Sequence, residues 1–408
     1  MFSKTLLSTL SLALVVSASP ILVDKAPVNL DLTRRLNLTS THNLVRHDRA
    51  RAQQLKASRG AGTGVISSPA DNQAVTYVAS VSVGNPATTY SLLIDTGSSN
   101  TWVGAQINNL YHPSLTTKPT LDAVSVTYGS GSFSGLEVID KVSLGSGLTI
   151  PEQSIGVATP ITAAGFNGVD GILGIGPVNL TVGTLTPGST KAIPTVTDNL
   201  YSLGIINSNV LSISFEPTTT EQVTNGELTW GGVDSSLYSG DITYVPITST
   251  FPASEYWGID QSVKYGTSNE ILSNTAGIVD TGTTLILLAT DAYNKYVSAT
   301  GAVLDNATGL LQISPSQYSN LQSLFFNIGG TAFELTPNAQ IFPRSLNTEI
   351  GGSSNSIYLI VADLGADSGQ GLDFINGYAF LERFYSVYDT SNKRVGIANT
   401  PFTHATTN

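Results

Sequence analysis

The chain has 408 residues, 41% of them hydrophobic, with 39 glycines and no cysteine; it is long enough for more than one lobe and too apolar to be mostly disordered. A formal charge of −11 disfavours nucleic acid as a partner, and the missing thiols exclude disulfides, thiol chemistry and thiolate metal sites. That charge is unevenly placed: residues 1–60 hold 9 of the 18 Lys and Arg with only Asp24, Asp31 and Asp48 as acids, leaving a body of net −17. A basic leader on such a body suggests a segment that docks electrostatically until it is removed.

Met1–Ala18 carries Lys4, an apolar centre from Leu6 to Val16 and small residues before Pro20. This is the pattern of a secretory signal peptide, and its apolar run is short for a bilayer; secretion is expected, with no stable membrane partner. Within residues 19–65, Val28 to Leu32 alternates as a strand does and His47 to Lys56 reads as a basic helix, which a solvated surface helix would also explain. Gly60–Gly64 is a flexible break suited to processing.

The body reads as many short strands separated by Gly, Ser and Thr, the pattern of an all-β protein. Tyr77–Val83 and Thr89–Asp95 flank the turn Gly84-Asn85-Pro86, and Val124–Gly135 is a hairpin with a Gly/Ser tip. Asp170–Gly176 is a buried strand ending in tight turns, Ile193–Leu203 a helix or helical turn, and Leu211–Phe215 a strand. A division between two lobes, 66–240 and 241–408, is placed at the turn-rich stretch that follows. Beyond it, strands are expected from Tyr256 and into Asp280, with a loop or short helix at Pro315–Leu324 and a hairpin at Phe325–Leu335. Phe374–Asp389 closes the pattern as an apolar-Gly element, a helix and a strand. Asn37, Asn179 and Asn306 open glycosylation sequons.

Asp95-Thr96-Gly97-Ser98 and Asp280-Thr281-Gly282-Thr283 are the same phrase 185 residues apart, each preceded by an apolar run. Each places a carboxylate on a tight loop, and two such loops, one from each half, can hold their carboxylates against one water. Two carboxylates sharing a site cannot both ionise easily, so one acts as base and the other as acid. The N–H groups of Gly97 and Gly282 and the hydroxyls of Ser98 and Thr283 would favour the charged form. No cofactor or metal is required by such a pair.

These two stretches, with the hairpin Tyr128-Gly129-Ser130-Gly131-Ser132, resemble the active-site loops and flap of pepsin-like aspartic endopeptidases, and the resemblance extends over the chain from about residue 72. It implies a bilobal fold with a central cleft, with Asp95 and Asp280 catalytic and Thr96, Ser98, Trp102 and Thr281 in support. It also implies that Tyr128, Gly129, Ser130, Gly97, Gly282, Thr283 and Tyr256 contact an extended polypeptide substrate. Residues 19–65 become an inhibitory pro-segment whose Lys or Arg, unspecified by the sequence, points at the pair. A monomer, inhibited by pepstatin-type compounds, is expected. Where the family usually reads Leu-Gly-Asp, this chain has Asn376-Gly377-Tyr378, and the disulfides common in the family are absent.

Competing chemistries find less support. Outside residues 1–60 only His112 and His404 remain, neither in a motif for a Ser-His-Asp site or a zinc hydrolase. A glycosidase would need acids across a sugar cleft rather than matched loops facing one water. A catalytically inactive binding protein of the same fold is the alternative.

Overall fold

The computed structural model describes residues 25–36, 44–57, 75–129, 131–145 and 147–408. The signal sequence, Asn37, the Gly60–Gly64 stretch and Ser130 lie outside these residues. Among the described residues strands dominate, in sheets of fifteen, seven and three strands. No described helix is long and apolar enough to cross a membrane.

The first half is built from β1 (Val28–Leu36), α1 (Leu44–Ala57), β2 (Val75–Val83), β3 (Thr88–Asp95), β4 (Trp102–Val103), β5 (Lys118–Thr127), β6 (Ser132–Ser143) and β7 (Thr149–Val157). β2 and β3 form the hairpin that delivers Asp95, paired from Val78–Leu93 to Val83–Thr88. β5 and β6 form the hairpin that carries Tyr128 at its tip, where the Tyr128 N–H donates to Gly131 O at 2.7 Å. Inside this lobe Trp102 stacks on Phe133 with centroids 4.4 Å apart and meets Phe166 edge-on at 4.9 Å, geometries that add to the area these rings bury.

The second half repeats the arrangement. Asn269–Val279 runs into Asp280 and pairs antiparallel with Gly258–Tyr265, while Phe374–Asn376 lies parallel to its end. In the first half Gly171–Gly174 lies parallel to β3 in the same way, with Asp95 opposite Gly174. Strands from both halves meet in the large sheet, where Val210–Ser214 pairs with Phe384–Asp389.

β1 and α1 are integrated with the body. β1 sits between β2 and Gln222–Trp230 as an internal strand. α1 buries Leu44, Val45, His47, Asp48, Arg51, Ala52 and Leu55, recurring at spacings of three and four so that they share one face. Two of those buried positions are charged, and both find partners in the cleft.

Differences from the sequence reading are local. The strand expected at Tyr256 begins at Gly258, because Ala253–Glu255 forms a 3-10 turn that Tyr256 terminates. The helix Thr290–Thr300 was not anticipated; it buries only Ala292, Tyr296 and Thr300 and ends on left-handed Gly301.

One buried carboxyl in the first lobe is expected to set a pH limit on stability. Glu137 in β6 is 2% exposed; its Oε1 accepts a 2.6 Å hydrogen bond from Ser154 Oγ, and its Oε2 has no partner. Burial pushes it up to about 7, against the opposing Ser154 bond. For an acid raised in the fold, the stabilising contribution is full below the ordinary value and is lost as pH rises through about 7, a loss on the order of 2–3 kcal/mol. Glu137→Gln should therefore flatten the decline in Tm between pH 5 and 8. A decline as steep as the wild type's would assign the loss to other groups.

Candidate active site

The two D-T-G loops face each other with near two-fold symmetry. The Thr96 N–H donates to Thr281 Oγ1 at 3.0 Å and the Thr281 N–H donates to Thr96 Oγ1 at 2.9 Å. Each threonine hydroxyl in turn donates to a carbonyl of the opposite strand, Thr281 to Ile94 at 2.9 Å and Thr96 to Val279 at 3.3 Å. All four groups are buried, so breaking one bond would leave its partner unsatisfied in a site without water access. This lattice fixes one loop against the other.

The carboxylates are held alike. Asp95 Oδ1 accepts from the Gly97 N–H at 2.9 Å and Oδ2 from Ser98 Oγ at 2.5 Å. Asp280 Oδ1 accepts from the Gly282 N–H at 3.1 Å and Oδ2 from Thr283 Oγ1 at 2.6 Å. The glycines are required by close approach: a Cβ at Gly97 would lie 2.7 Å from Asp280 Oδ1, and one at Gly282 would lie 2.6 Å from Asp95 Oδ1. Each carboxylate thus abuts the other loop.

Arg51 of α1 bridges the pair. Its Nη2 donates to Asp95 Oδ1 and, at 3.0 Å, to Asp280 Oδ1, while its Nε donates to Asp280 Oδ2 at 2.7 Å. Burial by itself pushes Asp280 up, but the charge and hydrogen bonds of Arg51, with those from Thr283 and Gly282, hold it below the usual carboxylate range. Arg51 is correspondingly raised, the two aspartates outweighing its desolvation. Beside it, Asp48 accepts from the N–H groups of Thr284 at 3.2 Å and Leu285 at 2.7 Å, immediately after the second loop.

Tyr128 is buried over this site. Its hydroxyl accepts from Trp102 Nε1 at 2.9 Å, which ties the indole to the hairpin tyrosine. Gly129 lies so close to the Ala50 carbonyl of α1 that a Cβ there would overlap it; the helix fills the space beneath the hairpin. Tyr256 Oη donates to the Leu55 carbonyl of α1 at 3.0 Å.

The unusual Asn376-Gly377-Tyr378 has its own partners. Asn376 and Gln261 exchange side-chain amide bonds of 2.8 and 3.1 Å, which satisfies two buried amides together. The Tyr378 N–H donates to Thr283 O at 2.8 Å. Its phenol is pushed up by burial and lies against Arg34 of β1, which also pairs with buried Glu382 at 3.4 Å. Asp170 is structural, accepting from the Ser91 N–H at 2.8 Å and Asn109 Nδ2 at 2.9 Å. Asn179 and Asn306 are both exposed.

Sequence reasoning brought both aspartates, their loop partners, Trp102 and Tyr128 to one place. It missed Asp48, whose burial within a basic helix carries no local signal, and left open which cation reaches the pair. No group of three or more His, Cys, Asp or Glu among the described residues is arranged to hold a metal.

Comparison with known proteins agrees with this geometry. The model of the family described as "Eukaryotic aspartyl protease" matches residues 76–400. Polyporopepsin of Irpex lacteus is 68% identical over 340 residues, 83% of this chain and 98% of that protein. Gastricsin of Oryctolagus cuniculus is 32% identical over 345 residues, 81% and 83% of the two chains. The crystal structure of the aspartic proteinase from Irpex lacteus superposes with a TM-score of 0.81 at 60% identity, covering 94% of this chain and all of that one. Two sheet-built lobes around a cleft, and one D-T-G loop from each, therefore have a family: the chain belongs to the eukaryotic aspartyl proteases of pepsin type and is a secreted aspartic endopeptidase.

Proposed function

We propose that Asp95 and Asp280 are the catalytic pair, and that the chain is made as a zymogen whose pro-segment, residues 19–65, keeps α1 in the cleft until acid releases it. The observation that carries this reading is Arg51, whose guanidinium donates to both carboxylates at once. A group that bonds Oδ1 of each aspartate stands where a shared water would stand once α1 has left. The lobes are then 66–240 and 241–408, each contributing one aspartate, and a monomer suffices.

With the cation gone, the two carboxylates share one proton. The ionised member takes a proton from the water as its oxygen attacks the peptide carbonyl, while the protonated member passes its proton to the carbonyl oxygen. A tetrahedral diol results; the pair's proton passes to its nitrogen, and as the C–N bond breaks one diol hydroxyl returns a proton to the pair, releasing a carboxyl and an amine product. Gly97, Gly282 and Thr283 border the attacked carbonyl. Tyr128, Gly129 and Ser130 close over the peptide and limit water access.

Tyr256 already donates to a backbone carbonyl of the segment in the cleft, which supports a similar contact to substrate. Thr96, Ser98, Trp102 and Thr281 hold the machinery in place. Asn179 and Asn306 are proposed glycan acceptors, and residues 1–18 the signal peptide.

The test is cleavage of an unfolded protein across the acidic range, with intact-mass analysis of the enzyme and a parallel pepstatin-type inhibitor. Inhibitable cleavage accompanied by loss of about the first 65 residues is expected. Loss of that segment without any peptide cleavage would make the chain an inactive binding member of its fold.

A further inference from the structure

Arg51 is not the only arginine that α1 places in the cleft. Arg49, two positions earlier and so about 200° around the helix, is directed to the wall of the second lobe. Its Nε donates to the Asp363 carbonyl at 2.8 Å and its Nη2 to the Asp363 carboxylate. Asp363 ends the strand Val361–Asp363, which lies parallel to Ile286–Leu288 with Leu288 opposite Asp363. It therefore stands on the wall that the second catalytic loop runs into.

The carboxylate is held by its own lobe. Its Oδ1 accepts from Thr290 Oγ1 at 2.6 Å and from the Gly365 N–H at 2.8 Å, which leaves Oδ2 for the incoming guanidinium. Beside it a cavity of about 550 Å³ opens between α1 and this wall, lined on the wall side by Tyr293, Leu304, Leu311 and Val361. An anchored carboxylate at the edge of an apolar trough suits a long side chain with an aliphatic stem and a cationic head. Lys56, on whose charge Asp373 and then Asp363 act, belongs to the same segment as Arg49. Maturation removes both, leaving a fixed negative charge on the cleft wall.

We propose that Asp363 forms a subsite for an arginine or lysine side chain of the peptide substrate, the place that Arg49 holds before maturation. This rests on the catalytic reading above. Tyr293, Leu304 and Leu311 take the stem, Asp363 takes the head, and Thr290 is a positioning residue. The resulting preference is for a basic residue at one fixed distance from the scissile bond, alongside whatever apolar residues the remaining pockets select.

The experiment uses full-length enzyme matured in acid, a mixed peptide library, and mass-spectrometric mapping of every cut. Arg and Lys should be enriched at a single position flanking the cut, and for paired peptides differing only by Arg or Gln there, kcat/KM should favour Arg on the order of tenfold. Asp363→Asn should bring that ratio close to one, while Asp363→Glu should retain the bias. Pepstatin-sensitive cleavage by the wild type with no basic enrichment at any position would overturn the subsite and leave the catalytic assignment standing, as would a bias that survives in Asp363→Asn. Absence of pepstatin-sensitive cleavage would overturn both.

Discussion

Asp280→Asn should lower kcat/KM for peptide hydrolysis by about four orders of magnitude or more while leaving the fold in place. An asparagine retains the shape: its amide oxygen can still accept from the Gly282 N–H, and its amide N–H can donate to the Thr283 hydroxyl, in place of the 3.1 and 2.6 Å bonds that hold the wild-type carboxylate. It cannot ionise, so the pair loses the ability to hold one proton between two carboxylates. Because such a variant would not mature itself, its leader should be removed by an immobilised protease of another class, and circular dichroism should show the wild-type spectrum. Turnover near the wild-type rate would mean that the reaction runs elsewhere.

Arg51→Gln should move conversion of the zymogen to higher pH. In the wild type, burial alone would raise Asp280, but Arg51 overrides it and holds the carboxylate below its ordinary value. A carboxylate depressed in the closed state contributes above its ordinary value, near 4, and loses that contribution as pH falls through the depressed one. The Arg51 latch therefore holds at neutral pH and fails in acid. Glutamine removes the charge and strands two buried carboxylates, a change that costs about 3–5 kcal/mol when one partner of a buried pair is lost.

Intact mass after incubation at graded pH would show the midpoint of leader removal rising by about one unit or more. An unchanged midpoint would mean that docking is carried by the other contacts: Asp48 on the Thr284 and Leu285 amides, Arg49 on Asp363, Arg34 on Glu382, and the internal position of β1. Among the described residues of the basic segment, Arg34, Arg49 and Arg51 each pair with acids of the body: Glu382, Asp363 and the two loop aspartates.

The aspartate loops were legible because their chemistry is local. An apolar strand, Asp, a hydroxyl residue and Gly specify a carboxylate on a tight turn with its own hydrogen-bond donors, and those donors are the ones found. The hairpin of Tyr128 was legible for the same reason. The helix Thr290–Thr300 was not, since its side chains offer only a sparse stripe at Ala292, Tyr296 and Thr300 and no side-chain cap at its start. Asn376 and Tyr378 read as departures from a family pattern, and nothing local showed that Gln261 and Arg34 complement them.

The sequence by itself determined the all-β class, the two matched aspartates with their hydroxyl and glycine partners, and a basic leader on an acidic body. These depend on neighbouring residues or on charge sums, which need no knowledge of contacts. Tertiary structure alone decided which arginine bridges the pair. Arg46, Arg49 and Arg51 share one helix and one chemistry, and differ only in the angle at which each leaves its axis. Turning by about 100° per residue, the helix aims Arg51 at Asp95 and Asp280 and Arg49 at Asp363, because the body holds those carboxylates on different walls of the cleft.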